Sequence, residues 1–143
     1  MNDAPTRPVT LPDHVRRFLA DPHFATIATT DADGRPRQAV IWFLFEDDTL
    51  LVNSRVGRRW PTNLVRDGRI SVAVMDETQP LHWVGLSGTA EVEAEGPPAQ
   101  AAIAAMARRY EDPATAQRKI GEFERQERIT FRIRIASFHD HLD

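Results

Sequence analysis

Five arginines crowd into residues 50–76, LLVNSRVGRRWPTNLVRDGRISVAVMD: Arg55, Arg58, Arg59, Arg66 and Arg69. They face one acidic neighbour, Asp67, in a protein whose formal charge is -3. Positive charge concentrated against the overall balance marks an anion site, and the guanidinium group, with its charge and paired donors, matches phosphate oxygens. Gly57 admits a close approach of backbone, and Asn53 and Ser54 bring hydrogen-bonding groups to the point where the preceding apolar run ends. Taken alone, an arginine cluster reads as a solvated face; its place straight after a strand-like run and beside Gly57 is a first feature that points to the anion.

These groups need elements to hold them. Residues 49–53 read as the strand entering the basic segment, and Ile70, Val72 and Val74 share one side of a strand leaving it over about residues 70–75. Between them a short helix is expected over about residues 60–65, with Pro61 in its first turn and Leu64 and Val65 turned inward. Upstream, Thr10-Leu-Pro-Asp13 is expected to open a helix with Thr10 as N-cap. Leu11, Val15, Phe18 and Leu19 share a face of it, and Asp21-Pro22 stops it. Residues 24–30, FATIATT, read as a strand joined by the turn Asp31-Ala-Asp-Gly34 to another over about residues 36–45. The VIWFLF portion of that second strand is continuously apolar, which predicts cover on both faces.

The longer strand expected over residues 82–93 carries Gly85 and Gly88, which predict a bulge or bend. Helical spacing of Ala99, Ile103, Met106 and Tyr110, then of Ala116, Ile120 and Phe123, predicts two helices parted at Asp112-Pro113. In the last strand Ile129, Phe131, Ile133 and Ile135 alternate with Thr130, Arg132 and Arg134. Six strands joined mostly as hairpins, with few helices, predict a mainly β fold: a small antiparallel barrel.

Composition narrows the classes. The chain has 143 residues, 41% of them hydrophobic and 27% charged, enough for one ordinary domain over residues 1–143 with a proper core. It has no cysteine, so disulfide and thiolate chemistry are excluded. The opening MNDAPTRPVT lacks an apolar run and no later stretch approaches a membrane span, so neither a secretory signal nor a membrane partner is read, and a cytoplasmic protein is expected. A pI near 5.9 argues against a general nucleic-acid binder. GxGxxG, a Walker loop and a nucleophile elbow are all missing, so dinucleotide, nucleotide-hydrolase and triad chemistry are not indicated. His139 and His141 have metal-ligand character, but residues 139–143, like residues 1–10, are expected to be mobile tails, and no metal is expected. His82, at a strand start, reads as a surface residue.

The succession FATIATTDADGRPRQAVIWF, LLVNSRVGRRWPTNLVRDGRISVAV, HWVGLSGTAEV resembles the pyridoxamine 5′-phosphate oxidase-like flavin and deazaflavin proteins over about residues 13–138. It is most similar to the branch of F-420-dependent oxidoreductases, on Asn63-Leu64 and Arg66-Asp-Gly-Arg-Ile-Ser71. The resemblance implies a six-stranded split β-barrel, a homodimer with cofactor sites at the subunit interface, and hydride transfer to a small unsaturated or conjugated substrate. FMN is the alternative cofactor, and a non-catalytic binding, storage or sensor protein the alternative of another class. Hydride chemistry belongs to the cofactor, so a missing nucleophile does not count against it.

With the resemblance, Arg55, Arg58 and Arg59 become the phosphate anchor, and Asn53 and Ser54 partners for polar groups. Gln38, Ala39, Val40, Ile41 and Trp42 are expected beneath the ring, and Trp83 lies in a region the family brings towards the partner's cofactor. Trp60 departs from the lysine that many relatives carry there; it either packs or donates its indole N–H. Asn63 either orients the segment or is a plain helix-face residue.

Overall fold

The computed structural model describes residues 9–143. The expectation for the first eight residues therefore lies outside it. Four helices and seven strands follow in chain order: α1 (Asp13–Ala20), β1 (Phe24–Thr30), β2 (Pro36–Ile41), β3 (Leu44–Glu46), β4 (Thr49–Arg55), α2 (Arg59–Arg66), β5 (Arg69–Met75), β6 (Trp83–Glu95), α3 (Pro97–Tyr110), α4 (Pro113–Phe123) and β7 (Arg128–His141). No helix among the described residues is long and apolar enough to cross a membrane.

The strands form one antiparallel sheet in the order β2-β1-β5-β6-β7-β4-β3. Its two edges, β2 and β3, are consecutive in the chain and separated only by Trp42 and Phe43. Three residue steps span at most about 11 Å, so the edges must come together and the sheet must curl into a barrel that no hydrogen-bonded ladder closes. The seven strands correct the expected six. The apolar run over residues 36–45 is not one strand, because at Phe43 the Tyr110 hydroxyl takes over the backbone: it receives the Phe43 N–H at 3.2 Å and donates to the His23 carbonyl at 2.5 Å. Trp42 stacks on the same tyrosine, with ring centroids 5.3 Å apart.

The alternation read in the last strand holds: Ile129, Phe131, Ile133 and Ile135 are buried beside Ile27, Val52, Val72 and Leu86 in one core. β6 shifts register between Ser87 and Gly88, where the bulge was expected. A Cβ at Gly88 would lie 1.9 Å from the Arg134 carbonyl oxygen, so only glycine lets the two strands close there. α3 and α4 pack as a hairpin beside the barrel, Ile103 and Met106 lying against Leu51, Trp42 and Phe123.

Two further expectations are corrected. Pro12, without a side-chain cap, precedes α1, so Thr10 is not its N-cap; the helix is held instead by burying Leu11, Val15 and Leu19 in the core. Residues 139–141 are not a tail: they continue β7, and Trp83 pairs with His141 and Gly85 with His139. Gly85 leaves room for the His139 ring, which lies where a Cβ would be.

Candidate functional site

α2 divides the five arginines between two sides of the barrel end. Arg58 is its N-cap residue, and Arg59 its first. Arg69 is spent on Asp67 at 2.7 Å, and Arg66 donates to the Thr30 carbonyl and to Asn63 Oδ1. Arg59 approaches Asp31 at 3.5 Å. Arg55 and Arg58 make no ion pair among the described residues.

Asp31 organises the Arg59 side. Its carboxylate accepts from Arg37 at 3.0 Å and from Asn63 Nδ2 at 2.9 Å. The Arg37 hydrogen bonds first, then Asn63, hold its pKa down to about 2 from an ordinary 3.8. A carboxylate depressed in the folded state contributes stability above its unfolded pKa and loses it as pH falls through the folded one. Asp31→Asn is therefore expected to lower the melting temperature at neutral pH and to flatten its fall between about pH 4 and pH 2, read by thermal unfolding across that range.

On the other side lies a cleft of about 250 Å³. Val40, Ile41 and Trp42 from the β2 edge form one apolar wall; Ile103, Met106 and Phe123 of the helical hairpin form the other. Arg58, Asn53 and Arg128 supply its polar groups. Asn53 is 7% exposed and fully engaged: its amide N–H groups donate to the Ala99 carbonyl at 2.9 Å and Thr130 Oγ1 at 2.8 Å, and its oxygen accepts from Arg128 Nε at 3.0 Å.

The structure brings Val40, Ile41, Trp42, Asn53 and Arg58 together at this cleft, sets exposed Arg55 beside it, across the β4/β7 ladder from Arg128, and sends the other expected residues elsewhere. Gln38 is exposed on the outer side of β2, and Ala39 packs against the core. Ser54 is buried, its hydroxyl donating to the Arg55 carbonyl. Trp60, 6% exposed, packs in the core with its ring 6.1 Å from that of Phe131, so of its two readings the geometry supports the packing one. Asn63 binds Thr29 and Asp31 and, with Arg59, faces away from the cleft. Trp83 stacks on His141 at 4.5 Å, on the outer sheet face.

Arg128 was not anticipated. It shares its strand phase with Thr130, Arg132 and Arg134, which reads as a solvent side. α3 covers that side near the start of β7, and Arg128 is only 8% exposed. Nothing short of placing residues 97–123 over the strand would have revealed this.

An antiparallel sheet curled into a barrel and left open at one seam, with an apolar cleft ending in arginines beside it, is a split barrel. The chain belongs to the pyridoxamine 5′-phosphate oxidase family, whose model matches residues 11–140. It is 28% identical over 112 residues to the F420H(2)-dependent biliverdin reductase of Mycobacterium tuberculosis, covering 77% of this chain and 80% of that one. Among solved structures it resembles an F420 reductase at TM-score 0.70 and 22% identity, covering 90% of this chain and 98% of that one. It also resembles HutZ, the heme storage protein of Vibrio cholerae, at TM-score 0.68 and 20% identity, covering 92% and 95%. At those identities the two structures speak for the fold alone.

Proposed function

We propose that this protein is an oxidoreductase that binds coenzyme F-420 in the cleft and serves hydride transfer to a conjugated substrate, with a linear tetrapyrrole of the biliverdin type as first choice. One observation carries the reading: a slot with apolar walls from Trp42 and Ile41 to Met106 and Phe123 ends in arginines that no carboxylate neutralises. That is what a flat ring system carrying a phosphate requires. The F420-dependent curated relative supplies the choice of deazaflavin and of substrate class. Reduced deazaflavin, when bound, supplies the hydride. Trp42 and Ile41 would flank the ring, Arg58 would hold the anionic end, and the helical hairpin would keep water from that side.

The working form is proposed to be a homodimer. The cleft is smaller than the usual 300–1,000 Å³ of a site that encloses its ligand. It opens beside a sheet face whose rungs run Val40-Thr26-Ala73-Gly85-His139 and Phe24-Met75-Trp83-His141. Val40 is 70% exposed there, Phe24 40% and Met75 38%, and Thr26, Ala73 and Gly85 on the first rung are small. A second copy on this face would cover the apolar rim and finish the site.

Titration with F-420 and with FMN, followed by absorbance and fluorescence, tests the cofactor. Saturable binding of F-420 at micromolar concentration is expected; binding of FMN alone would overturn the choice. Oxidation of reduced F-420 by biliverdin tests turnover, and binding without any acceptor would make the protein a carrier. Arg58→Ala is expected to weaken F-420 binding by about 1–3 kcal/mol, the scale of a lost charged hydrogen bond, without lowering the melting temperature. Titration of the variant checks the first arm and thermal unfolding the second.

A further inference from the structure

Arg128 is the one buried arginine among the described residues, and no carboxylate pairs with it. Arg132, whose side chain is 14% exposed, is clasped by Glu46 at 2.9 Å and Glu93 at 2.8 Å. Half-buried Arg109 donates to the backbone carbonyls of Leu19 and Asp21. Arg128 has only neutral partners: Nε donates to Asn53 Oδ1 at 3.0 Å, Nη1 to Gln126 Oε1 at 2.7 Å, and Phe123 lies 4.7 Å beneath the guanidinium carbon. Glu95 and Glu127 border a neighbouring cleft that Arg128 also touches, yet neither comes within ion-pair distance. Nη2 has no protein partner. It is not sealed in, since the one buried side-chain nitrogen without a partner among the described residues is Arg109 Nε.

The nearby charges make matters worse. Arg55 lies directly across the β4/β7 ladder from Arg128, and Arg58 shares its cleft. Burial first, then Arg58 and Arg55, pull the Arg128 pKa down to about 10 from 12.5. A base with a depressed folded pKa is destabilised in its charged form, and that cost is fully present at every pH below about 10. Burying a cation among cations is tolerated when a ligand of opposite charge is to be bound there.

We propose that Arg128, with Arg55 and Arg58, forms an oxyanion receptor at the inner end of the cleft, and that this receptor weakens the empty fold until a phosphate or carboxylate group occupies it. Two or three acceptor oxygens match the fork of Nη2 and the two neighbouring guanidinium groups. The inference rests on the cleft as the ligand site and not on which cofactor fills it.

The test uses thermal unfolding of the full-length protein with inorganic phosphate, with propionate, and with chloride at matched ionic strength. Phosphate or propionate is expected to raise the melting temperature of the wild type saturably, beyond the effect of chloride. Arg128→Met is expected to weaken that response about 10- to 100-fold, the scale of a lost charged hydrogen bond. Arg58→Met, at a more open position, keeps the proposal testable should Arg128→Met fail to fold. It should raise the melting temperature of the ligand-free protein by relieving repulsion, and blunt the anion response. Phosphate protection that competes with F-420 assigns the receptor to the cofactor's phosphate; protection by propionate with F-420 still bound assigns it to a substrate carboxylate. Protection by phosphate in a protein that binds no F-420 keeps the receptor and discards the cofactor reading. Equal protection by chloride overturns the receptor, as does an undiminished phosphate response in either variant.

Discussion

Trp60→Ala is expected to destabilise the protein by about 3–5 kcal/mol, the cost of truncating a buried tryptophan. The indole is 6% exposed, belongs to the main core and packs on Phe131, itself fully buried. Its removal would leave a cavity between α2 and β7 that a helix of eight residues is poorly able to collapse into. α2 carries Arg58 at its N-cap and Asn63 on its buried side, so a loosened α2 also loosens both arginine groups. Urea unfolding measures the loss; Trp60→Phe should recover most of it. Affinity for ligand, measured per folded molecule under stabilising conditions, should change little. A Trp60→Ala protein of normal stability that has lost ligand binding would put the indole back in the site.

Asn53→Ala is expected to cost about 2–4 kcal/mol, because one side chain serves three buried partners and one of them is charged. The Ala99 carbonyl ties the start of α3 to β4, Thr130 ties β4 to β7, and Arg128 loses the acceptor that fixes Nε. The stability loss and a loss of anion binding should appear together. Their origin can be separated with a double-mutant cycle: Arg128→Met relieves the buried cation that Asn53→Ala leaves poorly held. The double variant should therefore be more stable than the sum of the singles, by about 1–3 kcal/mol. Strict additivity would mean that Asn53 serves the ladder and not the arginine.

Much of the sheet was legible from periodicity. β7 announces itself because apolar Ile129, Phe131, Ile133 and Ile135 alternate with polar residues in the sequence, although both sides of its first four residues are buried, and Ile70, Val72 and Val74 mark β5 in the same way. The helices α3 and α4 follow from the spacing of Ile103, Met106, Ala116 and Ile120, and from Asp112, which caps α4 by accepting from the Thr115 N–H. These signals are local: each depends on neighbours a few residues away, and burial along one element repeats at the period of that element. The start of α1 misled because Thr10 matches a cap in composition while the chain begins its helix after Pro12. The seam at Trp42 and Phe43 was hidden because an apolar run reads alike whether it is one strand or two. The Tyr110 hydroxyl that splits it lies 67 residues away.

The candidate site divides along the same line. By itself the sequence determined that positive charge gathers after β4, that Asn53 ends that strand, and that apolar side chains from Val40 to Trp42 stand ready to line something. Tertiary structure alone decided which arginines remain free. Arg59 is drawn to Asp31 across 28 positions, Arg69 and Arg66 are spent within their own turn and on β1, and Arg128 joins Arg58 from the far end of the chain. Charge is a property of composition, but an unneutralised charge is a property of distance. Folding sets those distances by laying α3 and α4 over the outer side of β7, where an arginine that reads as solvated becomes the most shielded cation of the cleft.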